Sequence, residues 1–569
     1  MTTTLDPTVA PAPGSSADER GSAVDRRFWL LVLAAVALGL ALRIAISTTD
    51  GAPATDETAY LRSGMSLVEG DGFAREGHPE LHFPPFVPLL LGLAGEVFAD
   101  PHVGTVVLTT VASTALILPL ALLGRRVGGP AAGVAVAWIA ALTPGISTSL
   151  VNRGAGSEAE YMLVVVLALW WVVSAADHRG GARLWRIAGS GGLVGLAYLT
   201  RPEGLFVAVP LGIAVVVLGC RAPGPPGRRL RSAGVLVAAF AIPIVACVAP
   251  YAGYLHRHTG EWQLSAKTQD ASIEAWQAVA SSDRRARDAV LYELDDTGLA
   301  FAADRTSLPA LARDDPGGYL GIVGTNVTSL GEIVADPETG RVLSWLLLPL
   351  PVWALAAWGA WRHRRVRTMQ LLLAVGALPV ATALVFFVQP RYLMLTTALA
   401  TVPAGAALAA LPQRARRPAA LAVVALLVLS SVQGFRGPGG WWHPSDHTDQ
   451  RAAGEWLAEN VDADARVMSR SMVVEYYAER PTMAIPYADL DQIIEYGRHY
   501  GAEYLMADWY TARRLRPQLM PLREGEEVPG LRLVHELRRE GRTTQIFAFD
   551  PVPEVPEEIG PSLGFVGDG

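Results

Sequence analysis

The chain has 569 residues, 51% hydrophobic and only 18% charged, with a net charge of −7 and a mean hydropathy of +0.29. This balance excludes a soluble multidomain protein and fits a polytopic membrane protein, with no nucleic-acid partner expected. The two cysteines, Cys220 and Cys247, both lie in apolar blocks, which argues against a disulfide framework or a cysteine metal site.

Residues 1–25 are rich in Thr, Pro, Ala and Ser and read as a disordered cytoplasmic tail. The first apolar block follows Arg26 and Arg27 without a small-residue cleavage site, so it reads as a retained anchor. The apolar residues recur in blocks of about 18–24, enough to cross a hydrocarbon core of about 30 Å. About eleven spans follow, near 28–46, 104–123, 131–150, 158–176, 187–201, 204–220, 232–252, 342–361, 368–388, 392–411 and 418–435. Arginines crowd alternate connections: Arg125/Arg126, Arg179/Arg183/Arg186, Arg221/Arg228/Arg229/Arg231, Arg362/Arg364/Arg365/Arg367 and Arg414/Arg416/Arg417. The positive-inside rule places these, with the N-terminus, in the cytoplasm.

The other connections are then extracytoplasmic. Two are long, 47–103 and 253–341, and both are amphipathic enough for short interfacial helices. Residues 26–436 thus form the membrane domain. From 437 to 569 the chain turns charged and alternates strand-like runs (465–469, 504–507, 544–549) with helical ones (448–460, 489–500), which predicts a small extracytoplasmic α/β domain.

Candidate chemical residues all fall on the extracytoplasmic side. Asp56 and Glu57 open the first long loop, Tyr60 follows, and His82 with Pro84 and Pro85 precedes the second span. Glu158 opens the fourth span; Arg201, Pro202, Glu203 and Gly204 form the turn between the fifth and sixth; Pro390, Arg391 and Tyr392 open a late span. Lys267, beyond the seventh span, is the only lysine in a chain that otherwise uses arginine, a bias that suggests a GC-rich bacterial genome. Arg43 lies about a turn from the outer end of the first span.

Together these motifs resemble the GT-C superfamily of membrane glycosyltransferases, in particular the group containing protein O-mannosyltransferases and lipid A aminoarabinose transferases. The resemblance covers roughly residues 28–435 and rests on the Asp-Glu pair after the first helix, Tyr60, the Pro-Pro pair, the Arg-Pro-x-Gly turn and the late Arg-Tyr. It implies transfer of a sugar from a polyprenyl-phosphate carrier to a cell-envelope glycan, lipid or protein, with inversion. Asp56 is then the general base, and Glu57 orients the acceptor or tunes Asp56. Arg201, Arg391, Lys267 and Arg43 are the candidates for the donor phosphate, because arginine binds phosphate oxygens through two parallel bonds. Tyr60, Glu158, Glu203, Tyr392 and His82 are candidate substrate contacts.

No cofactor is required by this chemistry. A divalent metal is a weaker expectation, resting on His78, Glu80 and His82 and on His256 and His258. The alternative function is a lipid or polysaccharide transporter or flippase, which predicts polar residues midway along several spans. A non-catalytic scaffold presenting the C-terminal domain is a third reading.

Overall fold

The computed structural model describes residues 15–47, 53, 55–75, 78–98, 100–146, 156–266, 284–295, 298–299, 308–335, 348–436, 447–539 and 541–552. The first helix, α1, runs Ser15–Ser47, so residues 15–25 continue the span as helix where a tail was expected. The Ala, Glu and Arg in that stretch are good helix formers, and the span offers a helix already nucleated.

The first long loop contains α2 (Thr55–Glu69), a hairpin of β1 (Ala74–Arg75) and β2 (His78–Pro79), and α3 (Phe86–Gly95). The membrane helices continue as α4 (Pro101–Ala115), α5 (Ile117–Gly128), α6 (Pro130–Leu142), α7 (Glu158–Ala175), α8 (Gly180–Thr200), α9 (Ala208–Cys220) and α10 (Pro226–Thr259). The second long loop carries α11 (Arg284–Leu291), a short hairpin of β3 (Leu294–Asp295) and β4 (Gly298–Leu299), α12 (Leu308–Asp314) and α13 (Pro316–Ala335). Then come α14 (Leu350–Arg362), α15 (Arg367–Val385), α16 (Met394–Ala410) and α17 (Gln413–Arg436).

Among the described residues, eight helical segments are long and apolar enough to cross a membrane. The other three expected spans, near 131–150, 187–201 and 342–361, coincide with α6, α8 and α14, although residues 147–150 and 342–347 lie outside the described part. The second span, 104–123, is two helices that meet at Leu116. Pro119 has no N–H to give to the turn before it, which breaks the helical ladder at that point. A shared core joins these helices through fully buried Leu116, Ile117, Val136, Leu169, Val194 and Val402.

The two ends of the bundle differ. At one end Arg125 Nη2 donates to Asp25 Oδ1 at 2.7 Å and Arg126 Nη2 to Asp177 Oδ1 at 2.8 Å. The start of α2, the start of α7, the end of α8 and the turn before α16 lie at the other, as alternating helix directions require.

The C-terminal domain has α18 (Thr448–Asn460), β5 (Val467–Ser469), α19 (Met472–Ala478), β6 (Thr482–Ala484), α20 (Leu490–His499), β7 (Tyr504–Ala507), β8 (Leu531–Arg539) and β9 (Arg542–Phe549). Its sheet has the order β6-β5-β7-β9-β8, parallel over β6-β5-β7 and antiparallel beyond. The α/β expectation therefore holds. The two strands absent from the sequence reading are the sheet edges: β6 is three residues long, and β8 (LRLVHELRR) is rich in charged residues. Charged or short edges prevent unwanted strand pairing and also weaken the alternating apolar signal.

Candidate active site

Asp56 and Glu57 are both in the first turn of α2, where carboxylates are favoured by the helix dipole. Neighbouring helix positions point about 100° apart, so the two acids meet different partners. Asp56 Oδ2 accepts a hydrogen bond from Arg391 Nη1 at 2.7 Å, with 31% of its side chain exposed. Glu57 is fully buried, and its Oε1 lies 2.6 Å from His102 Nδ1 at the start of α4. The structure thus pairs Glu57 with a residue that the sequence reading passed over. Nothing local in the sequence signals that contact, because 45 residues separate the partners.

Arg391 sits on a 3-10 turn, Pro390–Leu393, which leads into α16. Its Nε donates to Gln389 Oε1 at 3.0 Å and lies 4.0 Å from Glu158 Oε1. Glu158, at the start of α7 and 4% exposed, also accepts from Arg201 Nη1 at 3.0 Å. Arg201 Nε donates to Glu203 Oε1 at 2.6 Å. The Tyr392 ring lies under both cations, with each guanidinium carbon 5.2 Å from its centre. Tyr60 completes the cluster: its hydroxyl is 3.4 Å from Ser157 Oγ, which is 3.5 Å from Arg201 Nη1. Burial, reinforced by nearby Asp56, holds the Tyr60 phenol well above its ordinary pKa, so it is a neutral hydrogen-bonding group.

Asp56, Tyr60, Glu158, Arg201, Glu203, Arg391 and Tyr392 are therefore one connected cluster. His82 stands behind it, with its ring against Phe83, which in turn packs edge-on against Tyr60. Its backbone N–H donates to Glu80 Oε1 at 2.8 Å. Arg43 is elsewhere: fully buried, it donates to Ser113 Oγ, Gly39 O and Ile146 O. Its guanidinium ties α1 to α4 and to the 3-10 turn Pro144–Ile146 that follows α6, a structural use that the sequence position alone does not reveal. Lys267 lies outside the described residues. His256 stacks on Trp262 and His258 leans on Tyr254, and among the described residues no three His, Cys, Asp or Glu side chains converge as a metal-binding group.

The loop helix that carries Asp56 is held from two sides. Against α3 the backbones nearly touch: a Cβ on Gly64 would lie 2.1 Å from Pro88 O, and one on Gly92 would lie 2.2 Å from Gly64 O. Only glycine permits that approach. From the C-terminal domain, Met472 and Tyr476 of α19 pack against the cluster of Ala59, Tyr60, Leu61, Phe83, Val87 and Leu91 that joins α2 to α3. Arg62 Nη2 donates to Glu475 O at 3.2 Å and Tyr476 O at 2.9 Å, carbonyls in the last turn of α19. The same domain grips α11: Asp288 pairs with Arg470 at 2.6 Å and with Arg516, beside Tyr292.

Residues 82–251 match the model of the family described as dolichyl-phosphate-mannose-protein mannosyltransferase. No curated protein matches the chain. The oligosaccharyltransferase of Archaeoglobus fulgidus, solved with zinc and sulfate, is similar at 15% identity over 84% of this chain and 68% of its own, with a TM-score of 0.55. The oligosaccharyltransferase AglB of the same organism, solved with an inhibitory peptide and a dolichol-phosphate, is similar at 14% identity over 91% of this chain and 74% of its own, with a TM-score of 0.52. ArnT from Cupriavidus metallidurans, solved with undecaprenyl phosphate, is similar at 14% identity over 90% and 97%, with a TM-score of 0.42. The chain is a multi-pass membrane protein with the GT-C fold of membrane glycosyltransferases.

Proposed function

We propose that this protein is a glycosyltransferase that moves a sugar from a polyprenyl-phosphate donor to an acceptor on the extracytoplasmic face, with inversion. The observation that carries this reading is a partly exposed carboxylate, Asp56, paired with Arg391, which shares the Tyr392 ring with a second arginine, Arg201. The family model over 82–251 and the dolichol-phosphate bound to AglB support a lipid-phosphate donor.

In this mechanism the acceptor hydroxyl or amide attacks the anomeric carbon from the face opposite the phosphate. A new bond to that carbon forms as the carbon–oxygen bond to phosphate breaks. The bonding electrons leave with the lipid phosphate, and the acceptor proton passes to the Asp56 carboxylate. The departing phosphate gains negative charge, which the guanidinium groups of Arg391 and Arg201 stabilise. Before this, as the donor binds, Arg391 exchanges its bond to Asp56 for a phosphate oxygen, which frees the carboxylate. Glu158, Glu203 and Gln389 hold the two arginines in place, and Tyr60 and Tyr392 border the sugar. The polar cluster lies at one end of the helices, which favours a one-sided active site over a transport path. The arginine-rich connections at the other end support the extracytoplasmic placement.

The test compares wild type with Asp56→Asn, matched for thermal unfolding, on a panel of polyprenyl-phosphate sugars. Wild type turning over at least one donor, with the variant inactive on it, is the expected result. Equal transfer by the variant removes Asp56 as the base. No turnover or hydrolysis of any donor by wild type removes the class.

A further inference from the structure

We propose that a groove between α6, the end of α16 and α17 is a binding site for an anionic phospholipid, with one acyl chain in the groove and the phosphodiester on Arg416. The groove encloses about 240 Å³ and is lined almost wholly by apolar side chains. Its floor is the buried Ile139, Leu408 and Leu427, and its rim is exposed at Ala131 and Val424. It sits at the far end of α16 from Arg391, roughly 25 Å away at 1.5 Å of rise per residue, and so is separate from the candidate active site.

Three observations identify the occupant. The groove belongs to the membrane-embedded part: α17 is a membrane span that is only 17% buried, so the groove opens on hydrocarbon. An apolar cavity of this size excludes water, and if empty its walls lose dispersion contacts that an acyl chain restores. Arg416 lines the groove with its Nε–H buried and without a hydrogen-bond partner, while Nη2 donates to Leu411 O at 3.0 Å. Among the described residues no carboxylate pairs with it. The chain itself offers none nearby in sequence, since no Asp or Glu occurs between Glu338 and Asp446. A guanidinium with a free donor, beside an apolar slot at a helix start, is complementary to a lipid phosphodiester.

The experiment is native mass spectrometry of the full chain in mild detergent, offered equal amounts of phosphatidylglycerol and phosphatidylcholine. Wild type should retain one phosphatidylglycerol in preference. Arg416→Gln should lower the ratio of bound phosphatidylglycerol to phosphatidylcholine about tenfold, the scale of one lost charged hydrogen bond. Arg417→Gln, a change at an exposed arginine of the same turn, should leave the ratio unchanged. Ala420→Phe fills the groove while keeping the arginine and its charge, and should remove the retained lipid. The proposal is overturned if Arg416→Gln keeps the preference, if Arg417→Gln lowers it equally, or if wild type retains no lipid. If Arg416→Gln does not fold, Ala420→Phe decides: lipid still retained by it also overturns the proposal.

Discussion

Asp56 and Arg391 are 335 residues apart in the chain, yet Arg391 Nη1 donates to Asp56 Oδ2 at 2.7 Å. The contact joins the first long loop to the turn that opens α16, and under the proposed function the carboxylate takes the acceptor proton while the cation takes the donor phosphate.

Asp56→Asn preserves the shape of the side chain and an acceptor for Arg391 but removes the proposed base. Transfer should fall by about a hundredfold to ten-thousandfold, the usual contribution of general base catalysis. Arg391→Gln should chiefly raise KM for the lipid donor. Steady-state kinetics on one active donor separates the two effects, and a KM unchanged by Arg391→Gln would count against its role at the phosphate.

The Arg201–Glu158 pair should matter for stability as well as activity. Glu158 is 4% exposed, and Arg201→Met strips it of its charged donor at 3.0 Å. Leaving a buried charge so poorly compensated costs about 3 kcal/mol. Thermal unfolding in detergent should show this loss, and the double variant Arg201→Met with Glu158→Gln should recover part of it.

Arg62 links α2 to the C-terminal domain through two carbonyls of α19. Arg62→Ala should lower stability by about 1–2 kcal/mol. Because α2 carries Asp56 but Arg62 itself lies outside the cluster, kcat should drop while KM for the donor stays nearly constant. Arg62→Lys, which keeps the charge but loses the forked geometry, should fall between the two. An unchanged kcat in Arg62→Ala would show that the domain contact does not position the helix.

Stability should depend on pH through Asp288. Burial pushes its carboxyl pKa up, but Arg470 and Arg516 outweigh that and hold it below the ordinary carboxylate value. A depressed folded pKa stabilises the protein above the unfolded pKa, about 4, and that contribution fades as pH falls through the folded value. Asp288→Asn should therefore unfold at lower temperature than wild type at neutral pH, with the gap narrowing below about pH 4. A gap that stays constant across that range would remove the ion pairs as its source.

Much of the membrane domain was legible because the bilayer imposes a simple rule on sequence. Apolar runs such as 368–388 and alternating arginine connections follow from hydrocarbon thickness and charge placement, and among the described residues every expected span overlaps a helix or, at 104–123, two. The break at Leu116 was less legible, since it depends on what one missing Pro119 N–H does inside an otherwise continuous apolar run. In the C-terminal domain the central strands showed in the pattern, whereas the short edge β6 and the charged edge β8 did not.

The candidate site divides in the same way. Asp56, Arg201, Arg391 and Tyr392 stand beside Pro, Gly or helix starts at span ends, so the sequence alone determined that they lie near one end of the bundle. It could not determine which side chains meet. Only the tertiary structure sends Asp56 to Arg391, Glu57 to buried His102, and Arg43 into the contact between α1 and α4. Local composition sets where a helix begins and ends. Side-chain pairing is set by how distant helices pack, and here that rests on contacts such as Gly64 against Gly92, where two backbones touch.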